Sequence, residues 1–311
     1  MAHQLAAPQR SVWAALAAIY VIWGSTYLGM ELAIETIPPF LMASVRFLIA
    51  GAILYTIFRP RERPTRRHWL SATIIGGFLL LGGNAVVGFS QTRLDSSVAA
   101  LIVATIPLWF ALLDYVATGK RLVPQAMLGL AIGFAGIALL IRPGGDIDFV
   151  GALICLCAPL SWAVGSLYAR GATLPRVPLL GAGMEMLAGG ALLAVVGLAS
   201  GERIDVAAIS VRSAGGLAYL IVFGSIVAYS SYVWLLKVAP TQLVATYAYV
   251  NPVIAVLLGA LVLDEAITVW VGVAGAAIVT SVVLIVRAQS RVEPAFERLP
   301  DGEEEGATLA A

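Results

Sequence analysis

The two halves of this chain carry one residue pattern twice, displaced along the sequence by a nearly constant number of positions. At one offset Trp23 matches Trp162, and at a second offset, a few residues longer, Pro107 matches Pro252. Each half contains an odd number of long apolar segments, so the second copy must cross a membrane in the direction opposite to the first. Repeats of inverted topology are a common plan of secondary transporters, whose binding sites lie between the repeats.

Composition and span length predict an all-α integral membrane protein. Apolar residues make up 60% of the chain and charged residues 12%, and the mean hydropathy is +0.93. A soluble domain carries about 25% charged residues, and a spanning helix needs about 20 mostly apolar residues. Ten segments satisfy this length: residues 12–30, 38–58, 69–91, 96–117, 124–141, 149–168, 177–199, 212–236, 241–262 and 268–287.

These segments divide into two inverted repeats of five transmembrane helices. The first repeat covers residues 12–141 and the second covers residues 149–287. The polar tail, residues 288–311, contains three consecutive glutamates, and its composition predicts a disordered cytoplasmic segment. Because the ten spans use most of the chain, little length is left for a soluble catalytic domain.

The distribution of basic residues predicts that both termini lie in the cytoplasm. With the N-terminus inside, the inner segments hold fourteen of the 19 lysines and arginines, the outer loops hold four, and Arg46 lies within a span. Cytoplasmic loops of membrane proteins carry such an excess of Lys and Arg. This bias also supports an even number of spans.

Motifs of several enzyme classes are absent from the sequence. No GxxxxGK[ST] loop, HExxH, CxxC or EF-hand pattern occurs, and no aspartate cluster suits Mg²⁺. Cys155 and Cys157 are two positions apart in an apolar helix and point to different faces, which favours packing over a disulfide or a metal site. The prediction is a protein that is not an enzyme, uses no cofactor or metal, and binds no nucleic acid.

Several longer stretches resemble one known transporter family. The first span contains WGSTY and the second PPFLMASVRFLIAG, while SVAALIVATIPL corresponds to TQLVATYAYVNPVIAVLLG in the second half, before Asp264 and Glu265. In this order and in two copies, these stretches resemble the EamA-type transporters of the drug/metabolite transporter (DMT) superfamily, and among them the YedA-like and PecM-like exporters. The resemblance covers about Val12 to Arg287. It implies ten helices in two inverted halves, the inner (plasma) membrane of a bacterium, and export of small metabolites.

Ionisable side chains within spans are candidate functional residues, because an isolated charge in hydrocarbon costs several kcal/mol. Arg46 and Glu185 occupy matching positions in the two halves. Glu185 is a candidate for the coupling proton or for a substrate amine, and Arg46 for a substrate carboxylate. Two alternatives stay open: the bundle itself satisfies each charge, or the two side chains pair directly. Asp114, near the cytoplasmic end of its span, is expected to be a solvated or helix-end acid.

The matched prolines Pro107 and Pro252 are predicted hinges, because each removes a helical hydrogen bond near mid-membrane; a packing kink without motion is the alternative. Polar and aromatic side chains around such hinges suit an amphipathic organic ligand. The predicted substrate-binding residues are Asn84, Trp109, Tyr229, Tyr247, Asn251, Trp23 and Trp162.

The leading functional hypothesis is a secondary transporter, independent of ATP, that exports a small amphipathic metabolite such as an amino acid by alternating access. Proton coupling through Glu185 and uncoupled facilitation both stay open. The expected partners are a small-molecule substrate and the lipid bilayer, and the expected state is a monomer. The alternatives are an antiporter of phosphorylated metabolites, which would need more intramembrane bases than Arg46, and a membrane enzyme acting on a lipid.

Overall fold

The computed structural model describes residues 9–58, 63–119, 123–142, 147–239 and 241–292, and these residues contain helices and connecting loops but no strand. The helices are grouped here into ten elements. They are α1 (Gln9–Ile34), α2 (Pro39–Ile57), α3 (Arg66–Ser90), α4 (Ser96–Val103 and Ile106–Thr118), α5 (Pro124–Leu140), α6 (Phe149–Gly171), α7 (Pro178–Ala199), α8 (Val211–Tyr219, Leu220–Val227 and Ala228–Val238), α9 (Thr241–Val244 and Tyr247–Val262) and α10 (Val269–Val292).

Eight of these elements contain apolar helical stretches long enough to cross a membrane. The other two, α5 with 17 residues and the main segment of α9 with 16, are apolar but shorter. Over the described residues the structure is therefore all-helical, with eight candidate membrane spans. The last helix continues through Val292, beyond the predicted start of the tail at 288, and residues 293–311 lie outside the described residues.

Local sequence explains where most helices begin. The first turns of α2, α5 and α7 contain a proline, whose missing N–H costs nothing at that position. Thr65, Asp148 and Ser210 cap α3, α6 and α8 by accepting a hydrogen bond from a backbone N–H in the first turn. These caps lie next to the apolar runs from which the spans were predicted.

Two matching stretches are π-helical, which the sequence did not predict. Gly77–Ala85 forms the middle of α3 and Leu220–Val227 forms the middle of α8. At the offset that pairs Pro107 with Pro252, the two stretches overlap over most of their length. Since π-helical turns are rare and often lie at functional sites, their occurrence at equivalent places in both halves draws attention to what they contact.

Both α4 and α9 are interrupted, but not at the predicted prolines. The breaks fall at residues 104–105 and 245–246, where Thr105 and Thr246 each donate a hydroxyl hydrogen bond to the carbonyl three residues earlier. Pro107 then lies in the first turn of the second α4 segment, where a proline is tolerated, and Pro252 lies inside the continuous helix Tyr247–Val262. The hinge role of the prolines stays a prediction, although the breaks themselves precede them.

The principal helix contacts follow a regular plan. Helix α2 packs along α7, α5 packs along α10, and α4 packs against α9. In addition, α1 packs against α8 and α9, α6 packs against α3 and α4, α2 packs against α8, and α7 packs against α3. Each of these contacts has a counterpart when α1–α5 are exchanged with α6–α10. The largest apolar core lies toward the end of the bundle where α2, α4, α6 and α8 begin, and it includes Met30, Val98, Ala152 and Val271.

Candidate functional site

A central cavity lies between the first three helices of each half. Its empty space is about 530 Å³, including the open mouth. The lining comes from α1–α3 on one side and α6–α8 on the other: Trp23, Arg46, Phe47, Ile75, Gly76, Leu79, Leu80, Asn84, Trp162, Ala182, Glu185, Met186, Gly224, Ser225 and Tyr229. Both π-helical stretches contribute residues to this wall, so the widened turns of α3 and α8 help to form the cavity.

The cavity brings together six of the predicted site residues. These are the two matched tryptophans, the matched pair Asn84 and Tyr229, and the matched charges Arg46 and Glu185. All three pairs come from corresponding positions of the two halves, so equivalent residues of both repeats line the same cavity. No ion pair joins Arg46 to Glu185 among the described residues, which removes the alternative of direct pairing in this conformation.

Arg46 is held firmly by neutral partners. Its side chain is buried, at 3% exposure, and its Nε donates to Ser225 Oγ at 2.8 Å while Nη1 donates to Asn84 Oδ1 at 3.2 Å. The guanidinium carbon also lies 4.8 Å from the centre of the Phe47 ring, close enough for a cation–π contact. These contacts connect α2 of the first half to α3 and across the cavity to α8.

Glu185 has a different environment at the matching position. It is only partly buried and faces the same cavity from α7, and among the described residues its carboxylate makes no hydrogen bond or ion pair. A carboxylate in such a place is free to bind a proton or a positively charged group. Burying that charge without a partner is costly, so the site favours one or the other.

The aromatic residues form a connected group behind the cavity wall. The indole of Trp23 donates through Nε1 to Gly224 O at 3.2 Å, and its ring centre lies 5.2 Å from that of Tyr232 and 5.1 Å from that of Tyr247. Tyr247 therefore supports the cavity wall from behind rather than lining the cavity. Asn251 lies one helical turn further along α9. Its amide faces the carbonyls of Tyr247 and Tyr20 at 3.2 Å each, so the nitrogen is assigned to that side as the donor.

Trp109 lies away from the cavity. Its ring packs edge-on against Phe134 with a centroid distance of 5.8 Å, and its buried Nε1 has no hydrogen-bond partner among the described residues. The structure therefore places Trp109, Tyr247 and Asn251 outside the cavity lining, while the other four predicted substrate-binding residues lie on it.

Comparison with known proteins gives the family. The model of the EamA-like transporter family matches residues 11–142 and again residues 149–287. The chain belongs to this family. The inner membrane transporter YedA of Escherichia coli K12 is 38% identical over 282 residues, which cover 88% of this chain and 90% of that relative. The chain is thus a multi-pass inner-membrane transporter of the DMT superfamily and not an enzyme.

Two further similarities are more distant. A protein of Escherichia coli K12 named "Probable amino-acid metabolite efflux pump" is 24% identical over 276 residues, covering 80% of this chain and 86% of its own length. A solved structure titled "Crystal structure of protein" shares the fold with a TM-score of 0.61 at 22% identity, and it covers 92% of this chain and 100% of its own.

Ser225 is the cavity residue that sequence reasoning missed in this EamA-family protein. It lies in the apolar run LIVFGSIV, where a lone serine looks like a small packing residue. In the described part of the chain, no group of three His, Cys, Asp or Glu side chains is placed to hold a metal ion.

Proposed function

We propose that this EamA-family protein is a secondary transporter that exports a small amphipathic metabolite, such as an amino acid or a related compound, by alternating access. The observation that carries the proposal is the cavity between α1–α3 and α6–α8, which combines aromatic walls with one acidic and one basic side chain. Ligand sites of this kind are mostly apolar, with a few polar groups that fix orientation. The name of the efflux-pump relative is consistent with this class of substrate.

The proposed topology has ten crossings in two inverted repeats, with both termini in the cytoplasm. The reciprocal helix contacts support a two-fold relation between the halves, and five crossings in each half make that relation inverted. The 17 residues of α5 reach the lower limit for a spanning helix. The excess of basic residues on one side gives the orientation, so the end where α2, α4, α6 and α8 begin is the outer end.

Each wall of the cavity has a distinct proposed role. Trp23 and Trp162 hold the apolar part of the substrate, Asn84 and Tyr229 offer polar contacts, and Glu185 binds the substrate amine or carries the coupling proton. In the alternating-access cycle, the interrupted helices α4 and α9 supply the flexible segments, with Pro107 and Pro252 next to or within them. The protein acts as a monomer in the bilayer and needs no cofactor.

Antiport of phosphorylated metabolites has less support. Phosphate carriers require several converging bases, and Arg46 is the base that lines this cavity within the described residues. Its guanidinium already donates to Ser225 and Asn84, which leaves less of it for a phosphate.

The test is flux through proteoliposomes that contain the purified full chain, measured with labelled amino acids and organic amines. We expect saturable flux that requires the protein and that competes among compounds of one charge class. Protein-free liposomes and the Trp162→Ala variant are the controls. Absence of flux for every compound, with a folded protein, would contradict the proposed substrate class.

A further inference from the structure

A glutamate after α7 caps the N-terminus of a helix in the other half. The Glu202 carboxylate accepts hydrogen bonds from two consecutive backbone N–H groups at the beginning of α2, those of Phe40 at 3.2 Å and Leu41 at 2.8 Å. Pro38, at the cap position just before α2, has no side chain able to cap the helix. A carboxylate at this position satisfies unpaired N–H groups and is favoured by the helix dipole.

A second glutamate, after α9, does the same for α4. The Glu265 carboxylate accepts from the backbone N–H of Ser96 at 2.8 Å and of Ser97 at 3.0 Å. Asp95 stands at the local cap position, but its side chain makes no capping bond. Partial burial and the neighbouring Glu265 carboxylate raise the pKa of Asp95. The distant glutamate, rather than the adjacent aspartate, therefore completes this helix start.

The two glutamates are presented by the same local construction. Each follows a residue in the left-handed region, Gly201 with φ of 87° and Asp264 with φ of 55°. Each donates its own backbone N–H to a glycine carbonyl near the preceding helix end, at 2.9 Å for Glu202 and 3.2 Å for Glu265. In both cases the carboxylate lies against that glycine, where a Cβ would crowd it. The repetition indicates one device used twice.

Both contacts join the second half of the chain to the first at the same end of the bundle. At that end, the described starts of α6 and α8 receive no carboxylate from the other half, because they are capped by their own neighbouring residues. Two exposed ion pairs, Arg93 with Asp148 and Arg212 with Glu35, also connect the halves there. Exposed pairs of this type contribute little, so the partly buried caps at Glu202 and Glu265 contribute more to the connection.

The opposite end of the bundle has bases at the corresponding sequence positions. At the two repeat offsets, Glu202 corresponds to Arg63 and Glu265 corresponds to Lys120, which lies outside the described residues. A base is repelled by the start of a helix, where the dipole is positive. The described start of α7, which corresponds to that of α2, has no side-chain cap. Among the helix starts that the structure describes, the device is therefore found at one end of the bundle.

We propose that Glu202 and Glu265 are the latches of the outer gate: they hold the outer ends of α2 and α4 against the second half while the cavity is closed to the outside, and they release these helix starts to water when it opens. This inference rests on the alternating-access function and on the orientation proposed above. It adds to them the residues that control the outward-open population.

The test measures access to the cavity from outside without any substrate. In a background with Cys155→Ala and Cys157→Ala, Leu79→Cys places a thiol on the cavity wall, and a membrane-impermeant maleimide is added to the outer face of cells. Combining Glu202→Gln with Glu265→Gln keeps the side-chain size but removes the charge and one acceptor oxygen from each latch. We expect labelling to become roughly tenfold faster, because each lost helix cap shifts the equilibrium by a small factor and the two act together.

Asp205→Asn is the matched control, since the Asp205 carboxylate caps only its own loop, at Ala207 N. Unchanged labelling in the folded double variant would overturn the latch proposal. Faster labelling in a protein that moves no solute would keep the latch and refute the proposed function instead.

If the double variant does not fold, Phe40→Cys with Glu202→Cys provides a second test. A cleavable thiol cross-link between the two positions should stop flux, and flux that continues with the link in place would refute the latch.

Discussion

Arg46 and Glu185 occupy equivalent positions on α2 and α7 and line the same cavity, yet their surroundings differ. Among the charged residues that the structure describes, Arg46 is the one that is buried, and it has two hydrogen bonds and a ring contact. Glu185 is partly buried and has none of these. Two charges at equivalent positions of a repeat can therefore line one site while only one of them stabilises the fold.

This difference has a physical origin in the neighbouring helices. Arg46 faces the π-helical stretch of α8, which presents Ser225, and that of α3, which presents Asn84. At the position corresponding to Asn84, the second half has Tyr229. Because the neighbouring residues differ between the halves, the arginine is hydrogen-bonded and the glutamate is not.

Exchanging the two charges should have the largest effect. The double variant Arg46→Glu with Glu185→Arg keeps the composition of the cavity, but it puts a carboxylate against the Phe47 ring and leaves the arginine without its acceptors. Misplacing both charges should cost about 3 kcal/mol, as leaving a buried charge without its partners does. We expect no monodisperse protein in size-exclusion chromatography. A stable exchanged protein would show that the two positions are equivalent after all.

Removing only the base should have a smaller effect. Arg46→Gln loses the hydrogen bonds to Ser225 and Asn84, and hydrogen bonds to charged groups are worth about 1.5–3 kcal/mol. We expect the midpoint of thermal unfolding in detergent to fall by several degrees. Arg46→Lys is the matched control: it keeps the charge but cannot reproduce the planar pair of donors, so it should be intermediate. Equal stability of all three proteins would argue against a structural role.

Removing the acid should change stability least and transport most selectively. For Glu185→Gln we expect thermal stability within about 0.5 kcal/mol of the parent, as for sites without specific contacts, together with loss of flux driven by a pH gradient. Glu35→Gln, at an exposed carboxylate, is the control for charge alone. Full gradient-driven flux in Glu185→Gln would remove the proton-coupling hypothesis and leave an uncoupled carrier.

Much of the fold could be predicted because span length and apolar composition are local properties. The helix starts at Pro124 and Pro178 fall within one residue of the predicted spans. The π-helical stretches could not be predicted from the sequence, because they depend on packing between helices rather than on residue propensity. The sequence predicted hinges at Pro107 and Pro252, but it gave no sign of the breaks in α4 and α9. These breaks lie at Thr105 and Thr246, whose hydroxyls donate to the carbonyls of Ile102 and Leu243.

The site was predictable where the repeat supplied a second copy. Trp23 with Trp162 and Asn84 with Tyr229 were found by matching, and both pairs line the cavity. Ser225 and the two capping glutamates had no such signal. Their importance depends on what approaches them from the other half, and a single sequence does not give these distances.

The latches also constrain how a protein of this kind can be assembled from its halves. If two identical copies of one half associated in opposite orientations, each latch position would carry the same residue at both faces of the membrane. In this chain the two halves carry opposite charges instead, with Arg63 corresponding to Glu202 and Lys120 to Glu265. Because the halves differ, the acids stand only where the helix dipole favours them, at the outer starts of α2 and α4, and the bases stay in segments that the positive-inside rule assigns to the cytoplasm.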